Sequence, residues 1–89
     1  MLQSVLDRIV AGEYTQAIGP LEYNGFGDAM PRAKIYDVGD GITFHTYNDK
    51  HYFIYIDGEL VKSTRLDQTQ LIDAFAQSRE RKKQRVMGA

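Results

Sequence analysis

The stretch YFIYIDGELVKST, residues 52–64, decides the fold of this chain. Two runs of alternating apolar residues flank Asp57-Gly58, a dipeptide that accepts positive φ at both positions and so favours a two-residue hairpin turn. A loop of two residues also fixes the register, because it sets Ile56 opposite Glu59. The sequence therefore predicts an antiparallel hairpin in the second half of the chain.

Further strand patterns precede this hairpin, and helical patterns lie at both ends of the chain. Apolar residues at helical spacing predict one helix from Ser4 to Ala11, ended by Gly12, and another from Gln68 to about Arg85. The sequence predicts an α+β fold, an antiparallel sheet of three to four strands with an N-terminal and a C-terminal helix (α-β-β-β-β-α). The predicted strands are 33–38, 42–47, 52–56 and 59–64. We expect residues 1–78 to form a single domain and residues 79–89 to form a basic, frayed tail.

Side chains that can cap a helix stand at both predicted helix starts. Ser4 can act as the N-cap of the first helix, and Asp67 as that of the second, with Gln70 reaching back. Leu66 and Leu71 can then pack together across the second helix start as a hydrophobic staple.

The segment between the first helix and the sheet is the least regular part of the sequence. Residues 13–18 alternate in a way that allows a short strand, which Gly19-Pro20 would end. Residues 19–32 are rich in turn formers and predict a long ordered loop. Because Tyr23 and Phe26 are too apolar for a free linker, we expect part of this loop to pack on the body.

The predicted turns divide the strand residues between two faces. An even-length loop at Asn48-Asp49 would place Phe44 and Phe53 on the same face. The first face then contains Tyr36, Val38, Ile42, Phe44, Phe53, Tyr55 and Leu60. The second contains Ile35, His45, Tyr47, Tyr52, Ile54, Ile56 and Val61.

We expect the first face and the two helices to build the core, with Leu6, Ile9, Phe44, Phe53, Leu60, Leu71 and Phe75 mostly buried. Two short helices can cover one face well but not both. The second face then exposes an apolar patch of a kind that monomeric proteins rarely leave open to water. We expect a protein partner or a second copy of the chain, in a homodimer, to cover this patch. The expected contact residues are Tyr47, Tyr52, Ile54 and Val61, joined from the loop by Tyr23 and Phe26.

Length and composition limit the remaining possibilities. Eighty-nine residues hold one core, and the absence of cysteine excludes disulfides and thiolate chemistry. No apolar run approaches the roughly 18 residues of a membrane span, and residues 1–12 lack the pattern of a signal peptide. We therefore expect a cytoplasmic protein that does not bind membranes.

The net charge of −1 conceals an asymmetry along the chain. Residues 1–74 carry eleven acidic and six basic residues, a net charge of −5, whereas residues 75–89 carry one acidic and five basic residues, a net charge of +4. One hypothesis is a nucleic-acid-associated accessory protein that uses this tail. The other is a solvated helix end whose cations suit the helix dipole. The second is favoured, because the charges spread around the helix axis and no aromatic residues interleave with them. The basic residues are Arg79, Arg81, Lys82, Lys83 and Arg85.

The sequence predicts no catalytic residues, no metal site and no cofactor. His45 and His51, the only histidines, are predicted on opposite faces of the sheet, and a metal needs three or four converging ligands. None of the serines stands in a nucleophile-elbow motif. The glycine-rich turns do not lead from a strand into a helix, which a phosphate-binding loop requires.

The order of helix, sheet and helix resembles the layout of the double-stranded-RNA-binding domain. Such domains place lysines at the start of the second helix to meet phosphates. Here that turn reads Asp67-Gln68-Thr69-Gln70, so RNA binding is not implied. The sequence favours a small non-enzymatic protein-interaction module, an accessory protein of the kind that phages and bacteria encode. It would associate with itself or bind, and by binding inhibit, a protein partner.

Overall fold

A computed structural model describes residues 2–61 and 67–87. The chain forms α1 (Leu2–Val10), β1 (Thr15–Ile18), β2 (Lys34–Gly39), β3 (Ile42–Thr46), β4 (Phe53–Ile56), β5 (Glu59–Leu60) and α2 (Gln68–Met87). The strands build one antiparallel sheet in the order β1-β2-β3-β4-β5. The predicted α+β class and its terminal helices are confirmed, and the short strand that residues 13–18 allowed is the edge strand β1.

The Asp57-Gly58 turn forms as predicted. Both residues have positive φ, 52° and 83°. Ile56 pairs with Glu59, and Val61 donates its N–H to the Ile54 carbonyl oxygen at 2.8 Å. Strand β5 is shorter than the predicted 59–64, and residues 62–66 lie outside the described part of the chain, as does the expected staple residue Leu66.

The helix ends confirm two of the predicted capping roles and correct two others. Gly12 takes a φ of 76° directly after α1, and Asp67 accepts a hydrogen bond from the Thr69 N–H at 2.8 Å, so both predicted roles are confirmed. Ser4 is not the N-cap of α1, because the helix already begins at Leu2. At the start of α2, Gln68 rather than Gln70 makes the decisive contact: its side chain donates to the Tyr52 carbonyl and accepts from the Tyr52 N–H.

The connection between β3 and β4 overturns the predicted register. Its central loop, the five residues 47–51, lies between Thr46 at the end of β3 and Tyr52 just before β4, and His45 pairs with Phe53 and Phe44 with Ile54. The buried Thr46 hydroxyl organises this loop, because it donates to the His51 carbonyl at 2.7 Å and accepts from the Asp49 N–H at 3.0 Å. An odd number of loop residues shifts the register by one and moves every side chain of β4 to the other face.

The core lies between the two helices and one face of the sheet. Phe75 of α2 stands at its centre, with the rings of Tyr14, Tyr36, Phe44 and Tyr52 at centroid distances of 4.6 to 5.7 Å. Leu6, Ile9, Phe44, Leu71 and Phe75 are buried as expected. Phe53, at 37% exposure, and Leu60, at 53%, are not, because the register shift turns Phe53 outward and β5 lies at the sheet edge.

The last helix continues through the expected tail. α2 runs without a break to Met87, so the boundary expected at residue 79 falls inside a helix. Arg79 contacts Asp49, and the Lys82 ammonium lies 3.9 Å from the centroid of the Tyr14 ring. The sequence missed these contacts because they depend on polar partners distant in sequence. Neither described helix is long and apolar enough to cross a membrane.

Candidate functional site

The sheet face opposite the helices is the candidate site, and we call it the outer face. Side chains of directly paired residues share a face, so two rows cross it. One row contains Ala17, Ile35, His45 and Phe53, and the other Thr15, Asp37, Thr43, Tyr55 and Leu60. None of these residues belongs to the buried core cluster, and no described helix packs on this face.

The middle of the outer face is apolar and aromatic. His45 stacks on Tyr55 with ring centroids 4.2 Å apart, and the His51 ring meets the edge of Phe53 at 4.9 Å. Partial burial lowers the pKa of His45 below its ordinary value, which keeps the imidazole neutral at pH 7. The one formal charge in the two rows is Asp37, whose carboxylate accepts a hydrogen bond from the Gly39 N–H.

The residues expected to bind a partner divide into two groups. Tyr52, at 2% exposure, and Ile54, at 4%, belong to the core, so their assignment to an exposed patch is wrong. The cause is again the register set by the five-residue loop 47–51, which places Phe53 and Tyr55 on the exposed face where Tyr52 and Ile54 were predicted. Tyr47 is exposed in that loop, and Val61 is partly buried.

Tyr23 and Phe26 are exposed, but not as part of a loop that packs on the body. Residues 19–33 form an irregular hairpin that extends β1 and β2, and we call it the arm. Gly19 donates to Ala33, Met30 donates to Glu22, and Tyr23 pairs with Ala29. Every residue from 20 to 32 is exposed, and Phe26 at the tip is 93% exposed. The expectation that the arm packs down is therefore wrong.

The most connected polar group lies on the helix side of the sheet. Asp49, with a φ of 58°, accepts hydrogen bonds from Lys34 at 2.7 Å and Tyr36 at 3.1 Å, and Arg79 lies 3.3 Å away. Burial alone would raise the pKa of Asp49, but these three partners outweigh burial and hold the pKa below its usual value. Burial and the nearby carboxylate raise the pKa of Tyr36.

This cluster joins β2, the 47–51 loop and α2, and its charges are satisfied within the chain, which is typical of a structural network. Among the described residues, no group of three or more histidines and acids could hold a metal ion. Sequence reasoning missed the role of Asp49, although a lone acid in a turn before an aromatic strand is the one signal that could have suggested it.

The basic residues of the expected tail do not form a free cluster. Arg79 is held by Asp49 and Tyr52, Arg81 donates to the Val10 carbonyl at 3.4 Å, and Lys82 covers Tyr14. Lys83 is exposed, and the side chain of Arg85 lies outside the described part of the structure. Three of the five expected phosphate contacts are thus engaged inside the molecule.

In comparisons with known proteins, no family model, no curated protein and no solved structure matches this chain.

Proposed function

We propose that this chain is a non-enzymatic protein-interaction module that binds a protein partner through the outer face of its sheet. One observation carries the proposal: a sheet face with Ile35, Phe53, Tyr55 and Leu60 on it is left without a covering helix in the described structure. Exposed apolar patches of this kind mark interaction sites in monomeric proteins.

The chemistry of the outer face suits a protein better than a nucleic acid or a small molecule. Protein interfaces combine an apolar, aromatic centre with few charges, and here His45, Phe53 and Tyr55 provide such a centre. A nucleic-acid surface would need cations, and none stands in the two rows. The alternative, a nucleic-acid-associated accessory protein, would depend on Lys83 and on basic groups that already have partners within the chain.

A photo-reactive amino acid placed at position 53 tests the proposal directly. Irradiation in the cells that express the chain should give a covalent adduct of one discrete mass. Adding Leu60→Ser, which removes a neighbouring apolar contact without touching the core, should abolish the adduct. The matched control places the same photo-reactive residue at the exposed Glu80 of α2, where no adduct is expected.

Two outcomes would overturn the proposal. One is the absence of any adduct at position 53, and the other is the same set of adducts at positions 53 and 80. A salt-dependent affinity of the purified chain for generic DNA, lost in a Lys83→Gln variant, would favour the nucleic-acid alternative instead.

A further inference from the structure

No feature within β1 prevents another strand from pairing with its free edge. β1 contacts no helix or strand other than β2 in the described chain, and all four of its residues are exposed. Gly19 donates its N–H to Ala33 across the hairpin at 2.7 Å. Because peptide groups alternate along a strand, those of Gln16 and Ile18 point to the open edge. Natural sheets protect such edges with charges, prolines or bulges, and β1 has none of these within it.

The arm continues this edge and adds apolar surface to it. Leu21, Tyr23, Phe26 and Met30 are all exposed on it. Regular pairing with β2 stops between Pro20 and Pro31, and pairing resumes within the arm where Met30 donates its N–H to the Glu22 carbonyl. Exposed apolar side chains grouped in this way mark an interaction surface.

We propose that β1 pairs antiparallel with β1 of a second copy, and that each arm lies on the α1–β1 corner of the other copy. The proposal concerns a different surface from the outer face and does not rest on the function proposed for that face. A twofold axis at Ala17 satisfies the open peptide groups, because it pairs Gln16 of one copy with Ile18 of the other in both directions. Ala17 then meets its own counterpart at the close, non-hydrogen-bonded position, where a small side chain fits.

The register of this pairing decides what the arm meets. Beyond Gly19 the arm of one copy runs toward the residues that precede β1 of the second copy, which are Tyr14, Glu13 and Gly12. That corner carries a shallow depression of about 530 Å³, lined by Gly12, Glu13, Tyr14, Thr15, Asp37, Val38 and Gly39. In the proposed pair, the arm of the second copy lies over this depression.

Two charge pairs between the arm and the corner favour a second copy over an unrelated strand. Arg81 and Lys82 line the groove beside Gly12 and contact Val10 and Tyr14 of their own chain, so positive charge lies near the path of Glu22, while Glu13 and Asp37 make the depression itself acidic. Arg32 of the arm donates its Nε–H to the Gly19 carbonyl at 2.9 Å, which holds it next to Pro20 and therefore close to Glu13 of the second copy. Both attractions occur twice in a symmetric pair. The uncharged strand Thr15–Ile18 adds no repulsion at the axis.

A proline scan of the edge tests the pairing without disturbing the fold. Gln16→Pro removes an N–H that faces the open edge, and a proline is tolerated at such a position of an edge strand. Light scattering at micromolar concentrations should show a dimer for the wild type and a monomer for Gln16→Pro, with circular dichroism unchanged. The matched control Gln16→Ala keeps the N–H and should remain a dimer.

Two further variants keep the test decisive if Gln16→Pro fails to fold. Ala17→Asp places two carboxylates side by side at the axis and should raise the dimer Kd at least about tenfold. Glu22→Lys should weaken the dimer, and the double variant Glu22→Lys with Arg81→Glu should restore it. A monomeric wild type would overturn the proposal, and so would a dimer that survives both Gln16→Pro and Ala17→Asp. A dimer that is lost in Phe53→Ser but kept in Gln16→Pro would locate self-association on the outer face and also overturn it.

Discussion

Asp49 connects more of the molecule than any other single side chain described. Its carboxylate receives Lys34 and Tyr36 from β2 and Arg79 from α2, while its own backbone closes the loop that sets the β3–β4 register. Such a carboxylate stabilises the fold as an anion, since each partner donates a hydrogen bond to it or carries a positive charge.

We expect Asp49→Asn to lower the free energy of unfolding by about 1.5–3 kcal/mol, the range for hydrogen bonds to a charged group. Asparagine tolerates the positive φ of this position, so the substitution isolates the charge from the backbone. Asp49→Ala should cost more, because it adds strain in the left-handed region. Urea denaturation measures both variants, and equal stability of Asp49→Asn and the wild type would contradict a stabilising role for the charge.

Phe53 and Ile54 are adjacent in β4, but their side chains lie on opposite faces of the sheet. Ile54 is buried and should cost about 2–5 kcal/mol on replacement by alanine, because the loss leaves a cavity in the core. Phe53 lies on the outer face, so Phe53→Ala should cost less than about 1 kcal/mol in the isolated chain. The sequence alone predicts the reverse order. Thermal denaturation of both variants decides the face assignment, and a larger loss for Phe53→Ala would restore the predicted one.

At the scale of elements, the two halves of α2 have different partners. The first half buries Leu71, Ala74 and Phe75 in the core. In the second half, the side chains described up to residue 84 dock through their cations: Arg79 on Asp49, Arg81 on the Val10 carbonyl and Lys82 on Tyr14. The sequence shows a fading apolar stripe there and therefore predicts a dispensable tail.

Truncation after Ser78 should therefore destabilise the chain. The loss of a cation–π contact and of the Arg79 hydrogen bonds should cost at least about 1 kcal/mol, or roughly 4–8 °C in Tm for a domain of this size. Truncation after Gln84, which keeps Arg79 and Lys82, is the control and should leave Tm nearly unchanged. If both truncations melt like the full chain, the second half of α2 has no structural role.

The contrast between two turns shows how much of the fold the sequence could predict. The backbone geometry of the Asp57-Gly58 turn follows from the two residues themselves. The register of its hairpin could therefore be predicted from the sequence. The loop at Asn48 and Asp49 depends instead on Thr46, whose hydroxyl bonds across the loop and becomes buried in doing so. Turn propensities carry no information about such a contact. A register shift of one residue is enough to exchange the buried and the exposed side chains of β4.

The candidate site shows the same limit. The sequence predicted that one sheet face would stay uncovered, since two short helices cannot cover two faces, and the outer face agrees with that reasoning. Which residues occupy it depends on the register, so Tyr52 and Ile54 were assigned in place of Phe53 and Tyr55. The sequence could not predict the arm for a different reason. Its backbone hydrogen bonds are interrupted at Pro20 and Pro31, and no local pattern indicates that pairing resumes beyond them.

For the whole molecule, the two proposed surfaces are compatible. A twofold axis at Ala17 that is perpendicular to the sheet would join two five-stranded sheets edge to edge and turn both outer faces to the same side. The apolar rows of the two copies would then form one continuous surface, with Ala17 at its centre. A partner with two binding surfaces of its own could engage both equivalent sites at once, which raises its apparent affinity through the second contact.

Acid should weaken the folded molecule in two separate steps, each with a known sign. His45 has a lowered pKa in the folded chain, so between that value and the ordinary 6.5 the unfolded chain binds more protons, and stability falls as the pH falls through this window. Asp49 also has a lowered pKa, but here the charged form is the stabilised one. Its contribution is complete above the ordinary 3.8 and is lost as the pH falls through the lowered value.

Urea denaturation of the Gln16→Pro chain between pH 7 and pH 3 separates these steps from any change in self-association. His45→Gln should remove the upper step and leave the lower one, because glutamine cannot gain the proton that the outer face disfavours. Asp49→Asn should do the opposite, lowering stability at pH 7 and flattening the loss below pH 4. A Gln16→Pro profile with the same slope from pH 7 to pH 5 with and without His45→Gln would contradict a lowered pKa for His45. Protonation of the same residue places a charge in the centre of that face, so partner capture at position 53 should fade over the upper window as well.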